Sequence, residues 1–155
     1  MTDAQTPAGE DDLSLPVKGM HKDTTSLFTD AWKERWPNFH PKEFACKCCG
    51  RYFHDPSFLD KLQALRFLVD KPFSINSGHR CVKNNKAQGG APRSQHLRIA
   101  VDLALRNQDR FMIAELANTY GFSIGYGATF IHLDLRRNKT HWYYPGSEEF
   151  WKKPK

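Results

Sequence analysis

The chain has 155 residues, 39% hydrophobic and 13% aromatic, which is enough apolar side chain for one packed domain and excludes global disorder. No apolar run reaches the roughly 18 residues that a membrane-crossing helix needs, and the acidic, polar start MTDAQTPAGEDD predicts no secretory signal peptide. Charge is uneven: residues 1–36 hold 4 Lys/Arg against 7 Asp/Glu, and residues 37–155 hold 19 against 10. The basic body favours a polyanionic partner: nucleic acid, an acidic wall polymer or an anionic membrane surface.

Residues 1–25, rich in Thr, Asp, Gly and Pro, read as a flexible acidic tail, and 26–155 as the folded domain. SLFTDAWKERWP (26–37) suits a short helix with Leu27, Phe28, Trp32 and Trp36 on related faces. Asp55-Pro56 is a helix start, an N-cap residue followed by Pro at the first helical position. Phe58, Leu62, Leu65 and Val69 then recur at helical spacing, predicting a helix over 56–69. PFSIN (72–76) alternates like a short strand. Residues 77–95 carry Gly78, Gly89, Gly90 and Pro92 and read as a long loop of the functional kind. IAVDLAL (99–105) reads as a strand, and DRFMIAELANTY (109–120) as a second helix stopped by Gly121. Phe122–Tyr126 and Thr129–Leu135 read as strands joined at Gly127-Ala128. Helices interspersed with short, tightly linked strands predict an α+β fold with a mostly antiparallel sheet flanked by helices.

His96 lies just before the 99–105 strand and Asp102 within it, while His132 and Asp134 sit two apart in TFIHLDL and so share a strand face. Two imidazoles and a carboxylate from neighbouring segments suit an open zinc site of three protein ligands, although a lone histidine is more often a satisfied core or surface residue. Three of the four cysteines, Cys46, Cys48 and Cys49, fall within four residues, with Cys81 distant. Too few and too clustered for a secreted disulfide framework, they suit a second, structural zinc at Cys46, Cys48 and Cys81, with His54 a further candidate, or a set of buried packing thiols. His21, His40, His79 and His141 show no partner in the sequence and read as surface residues. Trp142-Tyr143-Tyr144 reads as a cap on the core or as a stacking surface for sugar rings.

The run SINSGHRCVKNNKAQGGAPRSQHLRIAVDLAL resembles the zinc D,D-peptidase family of bacterial cell walls, which includes D-alanyl-D-alanine carboxypeptidases and phage endolysins and shares its fold with the hedgehog signalling domain. The matching pieces are Ser77-Gly78-His79-Arg80, Asn85-Lys86-Ala87-Gln88-Gly89-Gly90, Ser94-Gln95-His96, Ala100-Val101-Asp102, Ile124-Gly125-Tyr126 and Phe130-Ile131-His132-Leu133-Asp134. They occur in the family's order over roughly 38–144. The resemblance implies that His96, Asp102 and His132 hold zinc and that Arg80 polarises the scissile carbonyl. Five residues separate His96 from Asp102, one fewer than in the family's pattern, because the Gly after His-x-x is missing. Inside a regular strand that loss would turn Asp102 to the opposite face. Thr129 stands where many relatives carry a carboxylate base, so Asp134 is the candidate base or, equally, a partner that orients a ligand.

The resemblance implies a zinc metallopeptidase cutting peptidoglycan stem peptides. The expected setting is a phage or prophage endolysin made in the cytoplasm, acting on the wall or periplasm after release, as a monomer without stable membrane insertion. The alternative is a non-catalytic murein-binding module on the same fold with an impaired metal site. Nucleic-acid binding rests on charge alone, with no recognition helix or aromatic strand motif behind it.

Overall fold

The computed structural model describes residues 18–153. Its elements follow the local signals. Asp55 accepts a hydrogen bond from the Phe58 amide at 3.2 Å and starts a helix at Pro56. In chain order the elements are β1 (Met20–His21), α1 (Asp30–Arg35), β2 (Tyr52–Phe53), α2 (Pro56–Val69), β3 (Ile75–Ser77), α3 (Val82–Ala87), β4 (Val101–Ala104), α4 (Arg110–Thr119), β5 (Ser123–Tyr126), β6 (Phe130–Asp134) and β7 (His141–Tyr143). Short 3-10 turns at Pro41–Phe44, Gln95–Leu97 and Glu148–Trp151 link them.

The main sheet runs β3-β4-β6-β5-β7, antiparallel at every pairing except the parallel β5–β7. α2 and α4 pack on one another, and α4 packs against β5 and β6. Phe58, Leu59, Leu62, Leu65, Ile113 and Ala117 from these helices join Val101, Leu103, Ile124, Ile131 and Leu133 from the sheet in one core. Each fully buried Leu, Ile or Phe there contributes about 1.5–3 kcal/mol. Alternation along β6 sends Ile131 and Leu133 into this core and turns His132 and Asp134 to the opposite face. The sheet is therefore a partition, with apolar packing on one side and titratable groups on the other.

Several boundaries differ from the sequence reading. Residues 1–17 of the expected tail lie outside the described residues, and Met20–His21, also assigned to it, pairs antiparallel with Tyr52–Phe53. The helix expected over 26–37 is the single turn and a half of α1, begun by the Thr29 side chain, with Trp32 and Trp36 buried and Phe28 exposed. The PFSIN strand is displaced to Ile75–Ser77, where a register irregularity brings Ser77 opposite Asp102. The long loop over 77–95 contains α3, which Cys81 caps through its sulfur. α3 has no apolar periodicity to announce it: of its six residues only Asn85 is buried.

Candidate metal centre

One row of residues crosses the sheet. Ser77 pairs with Asp102, Asp102 with His132, His132 with Gly125, and Gly125 with Trp142, so five strands each place one residue side by side. Directly paired residues point to the same face. His96 reaches the same point from the Gln95–Leu97 turn, whose first residue follows the capping Ser94. The one-residue shortening between His96 and Asp102 does not turn Asp102 away. The missing residue is absorbed by the turn and the bend at Arg98–Ile99, before regular pairing begins at Val101.

Asp102 Oδ1 lies 3.0 Å from His132 Nδ1 and 3.2 Å from His96 Nε2, and the two ring nitrogens are 3.2 Å apart. All three residues are buried. Their outer atoms fix their tautomers. His96 Nδ1 is 2.7 Å from the Gly78 carbonyl, which can only accept, so Nδ1 carries the proton and Nε2 faces inward with its lone pair. His132 Nε2 donates to Asp134 Oδ2 at 2.7 Å, which leaves Nδ1 facing inward in the neutral ring. Two lone pairs and a carboxylate oxygen facing one another in a buried spot require a cation or a proton between them. The donor set fits zinc, which takes imidazole nitrogen and carboxylate oxygen and keeps a further position open in three-ligand sites.

The same arrangement governs protonation. Burial pushes the Asp102 carboxyl up, but the imidazoles of His132 and His96 beside it, which donate to it once they are protonated, outweigh burial and hold the group below the usual carboxylate range. Burial works against an imidazolium at His132, while Asp102 and Asp134 on either side raise its pKa on balance. Burial likewise opposes ionisation of Asp134, yet His132 and Arg136 bring it down to about 2.

Asp134 is not among the described residues that line the cavity above these three. It is fully buried, one oxygen serves His132, and Arg136 closes on both oxygens at 2.6 to 2.9 Å from its side chain and backbone. It meets His132 at Nε2, the ring nitrogen that does not face Asp102. Arg80 does reach the cavity: Nε donates to Ser77 Oγ at 3.0 Å, Nη1 to Asn85 Oδ1 at 3.4 Å and Nη2 to Asp102 Oδ2 at 3.4 Å. The cavity of about 460 Å³ is also walled by Arg93, Arg136, Trp142 and Tyr144, and Asp102 is the one carboxylate among its described lining residues.

Arg136, Trp142 and Tyr144 were not read as a unit from the sequence. Trp142 and Tyr144 face the cavity, whereas Tyr143 stacks on Tyr126 with ring centres 4.9 Å apart. Gly125 makes room: a Cβ there would stand 2.6 Å from the Trp142 ring. His79, expected at the surface, is buried, and its Nδ1 donates to the Arg98 carbonyl at 2.7 Å. Among the cysteines, Cys49 rather than Cys48 joins Cys46 and Cys81, with one sulfur from each within 4.8 Å of the others. His54 is elsewhere, bonded to Tyr52 and packed against Trp32 and Trp36.

A buried pair of imidazoles with one carboxylate, open on one side to a cationic cavity, is donor chemistry typical of hydrolytic zinc centres. The Peptidase M15 family model matches residues 37–134, and the chain belongs to this family. It is also 40% identical over 65 residues to the zinc D-Ala-D-Ala carboxypeptidase of Streptomyces albus G, a stretch covering 41% of this chain and 26% of that protein. No helix among the described residues is long and apolar enough to cross a membrane.

Proposed function

We propose that the protein is a zinc metallopeptidase that hydrolyses peptide bonds in peptidoglycan stems, in the manner of a phage or prophage endolysin. The observation that carries the reading is the convergence of His96 Nε2, Asp102 Oδ1 and His132 Nδ1 within 3.2 Å at the foot of a cavity walled by arginines. These three residues hold the ion. Zinc, when bound, supplies Lewis-acid activation of water and of a peptide carbonyl.

The remaining work falls to the chain. Gly78 and Asp134 lock the two imidazole tautomers so that a lone pair faces the ion from each ring. Asp134 is thus a positioning residue and Arg136 holds it in place. Arg80, tied at Nε and Nη1, presents a fixed, permanently charged fork to a developing oxyanion or a substrate carboxylate. Trp142 and Tyr144 give the cavity an apolar wall that excludes water from one side of a bound peptide. The basic body suits an anionic wall polymer.

One observation favours a second reading, a murein-binding module without hydrolysis. Thr129 replaces the family's carboxylate, and Asp102 is the one described carboxylate in the cavity, so no separate acid–base group stands ready there. Purified murein separates the two. Zinc-loaded protein that releases free amino groups, with His132→Ala reduced to background, supports the peptidase. Sedimentation with murein without any release of amino groups rejects it in favour of the binding module.

A further inference from the structure

Away from the cavity, the Cys46–Gly50 turn closes on itself. The Cys46 amide donates to the Arg51 carbonyl at 2.7 Å and the Gly50 amide to the Cys46 carbonyl at 2.8 Å, with Gly50 at a φ of 80°. This turn is fixed to the segment that begins α3, because the His79 amide donates to the Phe44 carbonyl at 2.8 Å. Thiols that are 35 residues apart in sequence therefore meet without either segment having to move.

Their surroundings are built for sulfur. Cys46 Sγ accepts from the amides of Cys48 and Cys81, each at 3.4 Å, and from Asn84 Nδ2 at 3.6 Å. Cys81 Sγ accepts from the Asn84 amide at 3.3 Å. The N–H groups aimed at Cys46 Sγ favour its thiolate, the form that binds metal. Cys46 and Cys81 are buried while Cys49 is exposed, which leaves an entry path for an ion. Three thiolates this close repel one another unless a cation sits among them.

We propose that Cys46, Cys49 and Cys81 form a three-thiolate site for a soft divalent cation, zinc by ligand chemistry, which staples the 46–50 turn to the start of α3. It differs from the sequence expectation in its third ligand and stands apart from the His96–Asp102–His132 centre, which contains no sulfur. Its role is structural, and it bears on the cavity through the chain: Arg80 immediately precedes Cys81, and its amide is bonded to the His96 carbonyl at 2.6 Å.

The full chain, reduced and freed of metal, is titrated with Co2+ under anaerobic conditions. Sulfur-to-cobalt charge-transfer absorption, which the sulfur-free centre cannot give, is expected to rise to about one equivalent and to be displaced by zinc. Cys49→Ser removes the one exposed thiol of the three and leaves the buried pair packed. It is expected to weaken cobalt binding, read by that absorption, at least ten-fold. Absence of the absorption in a chain that circular dichroism shows folded overturns the proposal, as does unchanged affinity in Cys49→Ser. A Cys46–Cys81 disulfide found by mass spectrometry in freshly purified protein, in place of bound metal, also overturns it. Charge transfer with no murein hydrolysis rejects the peptidase reading and leaves the thiolate site standing; hydrolysis without charge transfer does the reverse.

Discussion

The histidine–aspartate cluster and the cysteine cluster gather three donors each, but by different means. The first is carried largely by the two central strands β4 and β6, where direct pairing sets Asp102 opposite His132 and the outer nitrogens are held by a carbonyl and a carboxylate. The second is carried by a turn and a helix cap, with backbone amides pointing at sulfur. The first opens on a cavity, and the second has its exposed member at the protein surface. Chemistry on a substrate needs donors that do not move when the substrate arrives, which central strands supply. A staple needs only to join two segments, which loops supply.

Gly78 links the two regions and gives the largest test. Its carbonyl holds His96, and a Cβ at this position would lie 2.6 Å from the Phe44 Cα, backbone that cannot step aside cheaply. Gly78→Ala is expected to lower stability by at least about 1–3 kcal/mol, the scale of an overpacked core site. It should also reduce metal uptake at both clusters, as read by denaturant melts and metal analysis. A variant that loses metal at only one cluster would show the regions to be independent.

Arg80→Lys keeps the charge and loses the planar fork. Zinc content and melting should be unchanged, while murein turnover falls about ten-fold to a thousand-fold. Asp134→Asn tests the orienting role against a base role. Zinc affinity is expected to weaken about 10–100-fold with the fold retained, and excess zinc should restore turnover. Lost turnover at saturating zinc would make Asp134 a participant in proton transfer instead.

The smallest effect is placed outside both clusters. Burial lowers the pKa of His54 below its ordinary 6.5, with His21 and Arg35 adding to the effect and Asp55 opposing it. The unfolded chain then binds the proton more readily, so this group's contribution is present above about pH 6.5 and is lost as pH falls toward the folded value. His54→Gln should flatten the loss of stability between neutral and mildly acidic pH by a few tenths of a kcal/mol, the usual order for a partly exposed group. An identical pH profile in the variant would remove His54 from the account.

The α+β fold and the antiparallel pairing of its central strands were legible because β-strands and the two longer helices announce themselves by period and caps. Asp55-Pro56 and Asp109 start α2 and α4 where the sequence places them. α3 was not legible, since VKNNKA buries a single residue and is set by the cysteine cap and the surrounding packing. β7 was hidden for a related reason: an edge strand of three residues, two of them exposed, has no alternating core face to read. The residues that meet at the cavity could be named from motifs, but the effect of the shortened His96–Asp102 interval depends on a turn geometry that no periodicity encodes. Arg136 carried one signal that went unused: a cation two residues beyond a buried strand carboxylate is within reach of it.

The order of the strands has a consequence for how the protein comes together. β5 is made before β6, yet β6 lies between β4 and β5 in the sheet. The donors at 96 and 102 must wait for the β5–β6 hairpin, which carries His132, to dock on β4, a non-local step of the kind that slows folding. A slip of one residue in that docking would present Leu133 where His132 belongs. A chain threaded one residue out of register would therefore lack the His132 donor at the cluster, and metal uptake there would report strand register.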